Sequence, residues 1–343
     1  MNPEPLVRIA ADWDCSALVR QTPGGLGIWD GVRFTIDPVE ECDYLAVLNN
    51  RRAAGVTVKC PPSNVWCVMQ EPYVPELYDW MVEDHECYGR VFTHYVPNAD
   101  AKYVRSQPML PWHVEKSYDE LAGAGQPSKT RGVSWIASQL SFLPGHRNRT
   151  RLREYLMREC PGLVDIFGRG IRAIEDKWDA LAAYRYSLAI ENDSCPDYWS
   201  EKIADCYLSW TLPLYDGCTN IENYFPVDSF IRIDSSDPPS VAARVSELLT
   251  SGEWERRLPA IAVARQKVLN EYQIFPSIRS AMRQFGNASA KPEIVHVPGY
   301  RWNRWKHRAR YVSGKVRRGE LADVSNAFVN KIRYWRWSSK VGL

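Results

Sequence analysis

Between residues 133 and 233, short β-prone runs alternate with longer helical ones, and this rhythm restricts the fold more than any other feature of the chain. Residues 133–137, 163–167, 187–190, 211–215 and 229–233 read as strands; 149–158, 175–183 and 200–210 read as helices, with Ser200 as a fair N-cap. A strand–helix repeat at this spacing argues for right-handed crossovers into a parallel sheet. Residues 6–11, 44–48, 65–69 and 91–95 are a second set of short strands separated by polar or helical stretches. They predict another α/β layer. Residues 240–272 read as one long helix with little interruption. A chain of 343 residues has room for two domains at roughly 150 residues each. The small, polar segment AGAGQPSKT at 122–130 is the best linker between them. The expected organisation is an α/β domain over 1–125, a second over 126–290, a cleft between them, and a tail over 291–343.

Charge is balanced overall, with 43 Lys and Arg against 41 Asp and Glu, but it is unevenly placed. From Arg301 onward twelve basic residues meet two acidic ones, so the tail carries +10 and the remaining 300 residues −8. The tail also holds Trp302, Trp305, Trp335 and Trp337, and Leu321, Val324, Phe328, Ile332 and Trp335 fall on one helical stripe flanked by Arg333, Arg336 and Lys340. Such a helix suits a membrane interface, where apolar burial and attraction to anionic lipid add. The same stripe can instead dock on the protein's own body. Nucleic-acid binding has no accompanying motif. No apolar run reaches the ~18 residues of a membrane span, and Arg8, Asp12, Asp14 and Arg20 argue against a signal peptide. Nine scattered cysteines without a CxxC pair fit reduced thiols. The expected location is the cytoplasm, with the inner membrane face as the site of peripheral attachment if the tail meets lipid.

Residues 184–234 are the most informative stretch. A strand ends at Glu191-Asn192, and a loop through Tyr198 leads to Glu201-Lys202 at a helix start. Ligands of α/β sheets bind at strand C-termini. A helix N-terminus beside a lysine suits a pyrophosphate, and a neighbouring carboxylate suits ribose hydroxyls. Read by themselves, Glu and Lys at a helix start are equally common as capping residues.

The same stretch resembles the donor-binding signature of glycosyltransferase family 10, the α-1,3/1,4-fucosyltransferases. The matching residues are Tyr184-Arg185-Tyr186, Glu191-Asn192, Asp197-Tyr198, Glu201-Lys202, Pro213-Leu214, Gly217, Phe225-Pro226 and Ser229-Phe230-Ile231, with Val164-Asp165-Ile166-Phe167-Gly168-Arg169 upstream. Departures are mild: Arg185 stands where the family usually has Lys, Ser200 replaces a Thr, and Asp193 follows the Asn. The resemblance implies a GT-B architecture of two Rossmann-like α/β domains, the C-terminal one holding GDP-fucose and the N-terminal one the acceptor. It implies an inverting single displacement that needs no metal or other cofactor. Lys202 and Arg149 would hold the pyrophosphate and stabilise departing GDP; the neighbours Arg147 and Arg151 leave the register of Arg149 open. Glu201 would bind ribose, and Arg185, Glu191, Asn192 and Tyr198 would complete the donor site.

An inverting transfer needs a general base at the acceptor hydroxyl. Met69-Gln70-Glu71-Pro72 resembles the family segment that supplies it, which makes Glu71 the candidate base. His94 and Trp13 are acceptor-side candidates. Asp12-Trp13-Asp14 has the D-x-D form of metal-dependent transferases but lies far from the donor signature, and no metal role is assigned to it. The resulting expectation is a fucosyltransferase of bacterial type acting on a GlcNAc-containing oligosaccharide or glycolipid, with α-1,3 or α-1,4 linkage, lipopolysaccharide being one such surface glycan. The alternatives are a transferase of the same fold using another GDP-sugar, and a non-catalytic glycan- or membrane-binding derivative.

Overall fold

The computed structural model describes residues 4–50, 52, 54–137, 144–168, 170–300 and 304–319. The chain enters through β1 (Leu6–Ala11), continues through β2 (Ile28–Trp29), β3 (Val32–Thr35), β4 (Tyr44–Leu48) and β5 (Val56–Cys60), and then forms β6 (Val65–Val68), β7 (Arg90–Thr93) and β8 (Tyr103–Arg105). Seven of these strands form one sheet in the order β2-β3-β1-β4-β6-β7-β8. All pairs are parallel except β2 with β3. Every residue of β4 is buried, as expected of a central strand covered on both faces.

The connection between the bodies carries α1 (Tyr118–Gly123), opened by a capping box of Ser117 and Glu120. It is tied down at its far end, where the Lys129 ammonium donates to Ser209 O at 2.7 Å and to Thr211 Oγ1 at 2.9 Å. The second body follows as β9 (Arg131–Ile136), α2 (Pro144–Glu159), β10 (Asp165–Phe167), β11 (Tyr184–Ile190), α3 (Glu201–Leu208), β12 (Leu212–Asp216), β13 (Ile231–Arg232), α4 (Pro238–Leu248) and α5 (Glu253–Lys267). Its five strands are all parallel, in the order β10-β9-β11-β12-β13. One core runs through it, from Trp135 and Tyr186 on the sheet to Ile203, Tyr207, Val245 and Ile261 on the helices. Two parallel α/β sheets are what the expected GT-B architecture requires.

Two sequence expectations change. The helix expected at 175–183 is a single 3-10 turn, Lys177–Ala180. Asp176 caps that turn through Trp178 N and also accepts from Glu115 N at 2.9 Å, which pins the segment to the connection between the bodies. The helix expected at 240–272 is broken: Gly252, at φ +64°, separates α4 from α5, and a π-helical turn at Val268–Tyr272 ends at extended Gln273. Beyond Gln273 the chain returns to the first body. There α6 (Ile274–Phe285) buries Ile274, Phe275, Ile278 and Met282 against Phe34, Trp66 and Phe92. β14 (Glu293–Val297) then pairs antiparallel with β5, and Val297 joins Val56, Val58 and Trp80 under the opposite face. The first sheet therefore depends on residues beyond 273 for both of its covers, although the sequence rhythm assigned them to the second body and the tail.

The last described helix, α7 (Arg304–Arg317), packs on the first body through Tyr311, which is buried with Leu77. Thus 304–319 dock on the protein itself; the stripe from Leu321 to Trp335 and residues 301–303 lie outside the described residues. Gly168, at φ +137°, ends β10 where a Cβ would run into Ala137 O. Both the backbone strain and the clash make Gly168→Ala costly, so a loss of about 3 kcal/mol is expected, read as a lowered urea midpoint with unchanged slope.

Candidate functional site

The site is built at the C-terminal ends of the second sheet. Glu191 follows β11, and its buried carboxylate turns toward the start of α3. Ser200 N donates to Glu191 Oε1 at 2.8 Å, Ser200 Oγ donates to Oε2 at 2.6 Å, and Lys202 Nζ lies 3.1 Å from Oε2. Ser200 also acts as the expected N-cap, its side chain accepting from Lys202 N. One carboxylate therefore fixes the cap, the first turn and the direction of the lysine. Gly217 leaves room for it, because a Cβ there would run into the Glu191 side chain and the Tyr215 hydroxyl.

Glu201 sits one turn-position away, among cations. Lys177 Nζ is 3.4 Å from Glu201 Oε1, Lys202 Nζ 3.7 Å and His113 Nδ1 3.8 Å. Burial alone would raise the Glu201 carboxyl; Lys202, Lys177 and His113 overcome it and hold the group well below the usual carboxylate range. Lys177 also meets the buried Asp205 at 3.3 Å. Burial opposes its charge, but Glu201 and Asp205 outweigh that and raise the ammonium pKa. Glu201 is thus ionised and aimed by partners on both sides, as a hydrogen-bond acceptor for hydroxyls must be.

Arg149 approaches from α2. Its guanidinium is buried and donates to Ile190 O at 3.4 Å. Burial lowers its pKa, opposed by the fields of Glu191, Tyr198 and Glu201. Of the three neighbouring arginines, Arg149 faces inward, Arg147 is half-buried and Arg151 is exposed. One turn before it, buried His146 bonds Asn192 through its side chain. Tyr198 is buried beside the same carboxylates. Burial, then Glu191, Glu71 and Glu201, push its hydroxyl pKa well up.

Across the cleft, the first sheet contributes its own C-terminal edge. Trp13 follows β1 and donates from Nε1 to Gln70 Oε1 at 3.2 Å; Gln70 N donates to Asn49 Oδ1 at 2.9 Å, and Asn49 Nδ2 to Asp12 Oδ1 at 3.2 Å. Asp14 accepts from Ser16 N. The next residue after Gln70 is Glu71, whose charge reaches Tyr198. His94 follows β7, accepts from Tyr73 N at Nε2 (3.2 Å), and stands with its ring 5.1 Å from the Tyr198 ring. Arg105, ending β8, bridges to Asp197 at 3.2 Å and to His94 O at 3.3 Å. Asp197, in turn, accepts from Tyr224 OH and Asn220 Nδ2. Glu71, His94 and Arg105 thus face the loop that carries Tyr198.

The fold brings together Arg149, Glu191, Asn192, Tyr198, Glu201 and Lys202 on one side, and Glu71, His94 and Trp13 on the other. Arg185 is not among them. It stands at the opposite end of β11, six residues and about 20 Å from Glu191, and pairs with Glu255 of α5 at 3.6 Å. Strand direction removes it from the Glu191 end of the sheet. Sequence reading missed Lys177, His113, Asp205, His146 and Arg105. Only Asp205, one turn after Glu201 on the same helix, carried a local signal.

The arrangement offers two cations (Arg149 and Lys202) near a helix N-terminus, an ionised carboxylate beside them, and a second carboxylate across a cleft. Such an arrangement has the chemistry to hold an anion and to bond hydroxyls beside it. The segment that builds it, residues 126–254, matches the family model described as glycosyltransferase family 10 (fucosyltransferase) C-term. It is similar to human 4-galactosyl-N-acetylglucosaminide 3-alpha-L-fucosyltransferase FUT6, 25% identical over 52% of this chain and 48% of that protein. It is also similar to human 3-galactosyl-N-acetylglucosaminide 4-alpha-L-fucosyltransferase FUT3, 29% identical over 39% of this chain and 36% of that protein. The chain spans about half the length, or less, of these relatives. Among solved structures, an alpha1,3-fucosyltransferase with GDP-fucose aligns over 80% of this chain and 94% of its own, at 16% identity and a TM-score of 0.47.

Two buried histidines set an acid limit on this site. Burial depresses His94 to about 4 and His146 to about 3, with Arg105 adding at the first and Arg149 and Lys202 at the second. Both fold in the neutral form, whereas the unfolded chain protonates them near pH 6.5. Their contribution is therefore complete above that pH and is lost as pH falls toward 4, by up to about 1.4 kcal/mol per pH unit for each histidine. Urea midpoints measured from pH 7 to pH 4 should fall, and His146→Gln should flatten the slope by about one histidine's share.

Proposed function

We propose that this protein transfers fucose from GDP-fucose to a hydroxyl of a glycan acceptor, with inversion at the sugar carbon and without a metal ion. The observation that carries the reading is the Glu191–Ser200–Lys202 arrangement beside Arg149 and Glu201, within the segment that matches the family 10 model. Lys202 and Arg149 take the diphosphate, and Glu201 takes ribose hydroxyls. As the bond from the fucose carbon to the diphosphate oxygen breaks, charge builds on the departing GDP, and the two cations stabilise it in a partly desolvated site. Glu71 accepts the proton of the acceptor hydroxyl while its oxygen bonds to the opposite face of the sugar. The names of the relatives support a galactosyl-N-acetylglucosaminide as acceptor, linked through the 3- or 4-hydroxyl.

Glu71→Gln keeps shape and removes the basic oxygen. Its expected effect is a fall of 100-fold or more in kcat for transfer to N-acetyllactosamine, with GDP-fucose affinity within about twofold of wild type. Unchanged kcat would remove Glu71 from the reaction.

The tail supports attachment to an anionic membrane surface. Helix α7 has two distinct faces: His307, Tyr311 and Gly314, with Arg318 just beyond the helix, turn to the body, while Trp305, Val312 and Val316 line the opposite side. Trp305 is 71% exposed and Val316 48%, and Lys306, Arg308 and Lys315 flank them. An apolar stripe between cations suits the headgroup boundary, and residues 320–343 add further Trp and Arg. A lipid-linked glycan is the acceptor such a surface would present. Trp305→Glu with Val316→Glu should lower binding to phosphatidylglycerol vesicles several-fold and leave transfer to soluble N-acetyllactosamine unchanged.

A further inference from the structure

The inner face of α7 meets one segment of the first body, and that segment begins at the acceptor side of the cleft. From Pro72 to Tyr78 the chain forms no helix or strand, so tertiary contacts must hold it. At one end, Tyr73 N donates to His94 Nε2, and the Tyr73 ring stacks on Tyr95 with centroids 3.9 Å apart. A few residues on, Leu77 is buried with Tyr311 of α7, and Val74 and Tyr78 pack around them.

Charge pairs surround that apolar contact. Asp79 Oδ2 lies 3.3 Å from Arg310 Nη1 and 3.5 Å from His307 Nδ1. Arg318 places Nη1 3.2 Å from Glu76 Oε1 and Nη2 3.4 Å from Oε2, a two-pronged pairing, and Arg317 stands 3.7 Å from the same carboxylate. Glu76 holds φ +66°, a conformation that costs energy in a residue with a Cβ and persists only where its surroundings enforce it. Gly314 leaves the space that the Glu76 carboxylate occupies, since a Cβ there would overlap it. Asp79 opens the 3-10 turn Asp79–Met81, whose Trp80 and Met81 enter the sheet core. The segment is thus anchored in the core at one end, clasped by α7 in the middle, and joined to His94 and Glu71 at the other.

We propose that α7 is a strap that positions the acceptor side of the cleft, with Arg310 and Arg318 as positioning residues acting through Asp79 and Glu76 on Tyr73 and Glu71. The proposal rests on the reading of Glu71 as the base. It gives the basic tail a second task beside any lipid contact: its inner face sets how an acceptor sugar meets the cleft. Donor binding, on the other body, is independent of it.

The test uses the full chain, with Arg310→Glu, Arg318→Glu, and the swap Asp79→Arg with Arg310→Glu. Three quantities are read: kcat/KM for N-acetyllactosamine, GDP-fucose affinity, and hydrogen exchange of amides 72–83. Each single variant should lower acceptor kcat/KM about tenfold, mainly through KM, and speed exchange over 72–83, with donor affinity unchanged. The swap and Arg310→Lys should restore both. Single variants that leave acceptor kcat/KM and exchange as in wild type overturn the strap. So does a fall in donor affinity equal to the fall in acceptor kcat/KM, which would mark general destabilisation. A wild-type protein that binds GDP-fucose but transfers nothing to the acceptor contradicts the catalytic reading instead; the exchange measurement then decides the strap by itself.

Discussion

A single buried carboxylate organises the second body. Glu191 lies where β11 meets its loop, and removing a carboxylate from water is expensive unless its oxygens are bonded and its charge is matched. Ser200 supplies two hydrogen bonds and Lys202 the charge. Satisfying Glu191 fixes the N-cap of α3, and with it Lys202, Glu201 and the loop bearing Tyr198. Gly217 is required because the carboxylate occupies the space a side chain would need. The same bonds orient the Lys202 ammonium at the start of α3.

The second body was legible in the sequence because its signals are local. Strand rhythm, a Ser cap and the Glu-Asn and Glu-Lys pairs all lie within short windows, and β9 to β13 fall where the pattern puts them. What the sequence hid is long-range. Arg185 shares a motif with Glu191, but a strand places its two ends about 20 Å apart, so nearness in sequence misled. Lys177 reaches Glu201 from a one-turn helix 24 residues upstream, and no periodicity announces such a contact. The return of α6 and β14 to the first sheet was also hidden, since a helical pattern does not reveal which sheet it covers. Which of Arg147, Arg149 and Arg151 faces inward was open in the sequence, and helix phase in α2 turns Arg149 toward Glu191.

The two bodies meet through polar and aromatic contacts around the loop between Glu191 and Ser200. Asp197, at φ +63°, receives Arg105 from the first sheet and Tyr224 and Asn220 from the second. Beside it, His94 and Tyr198 face each other. The loop between Glu191 and Ser200 is therefore touched by both bodies, which would link the two halves of the proposed reaction in space. The clasp of α7 on the segment after Glu71 stays within the first body, on the acceptor side of the proposed reaction.

The central claim is that the Glu191–Lys202 pocket holds a GDP-sugar without a metal. Calorimetric titration of the full chain with GDP-fucose, GDP-mannose and GDP, in the presence of chelator, tests it most directly, with Lys202→Ala as the comparison. The account predicts that GDP-fucose binds more tightly than GDP-mannose, that chelator changes nothing, and that Lys202→Ala weakens binding at least tenfold. Absent nucleotide binding, binding that needs a divalent ion, or a Lys202→Ala variant that binds as well as wild type would contradict it.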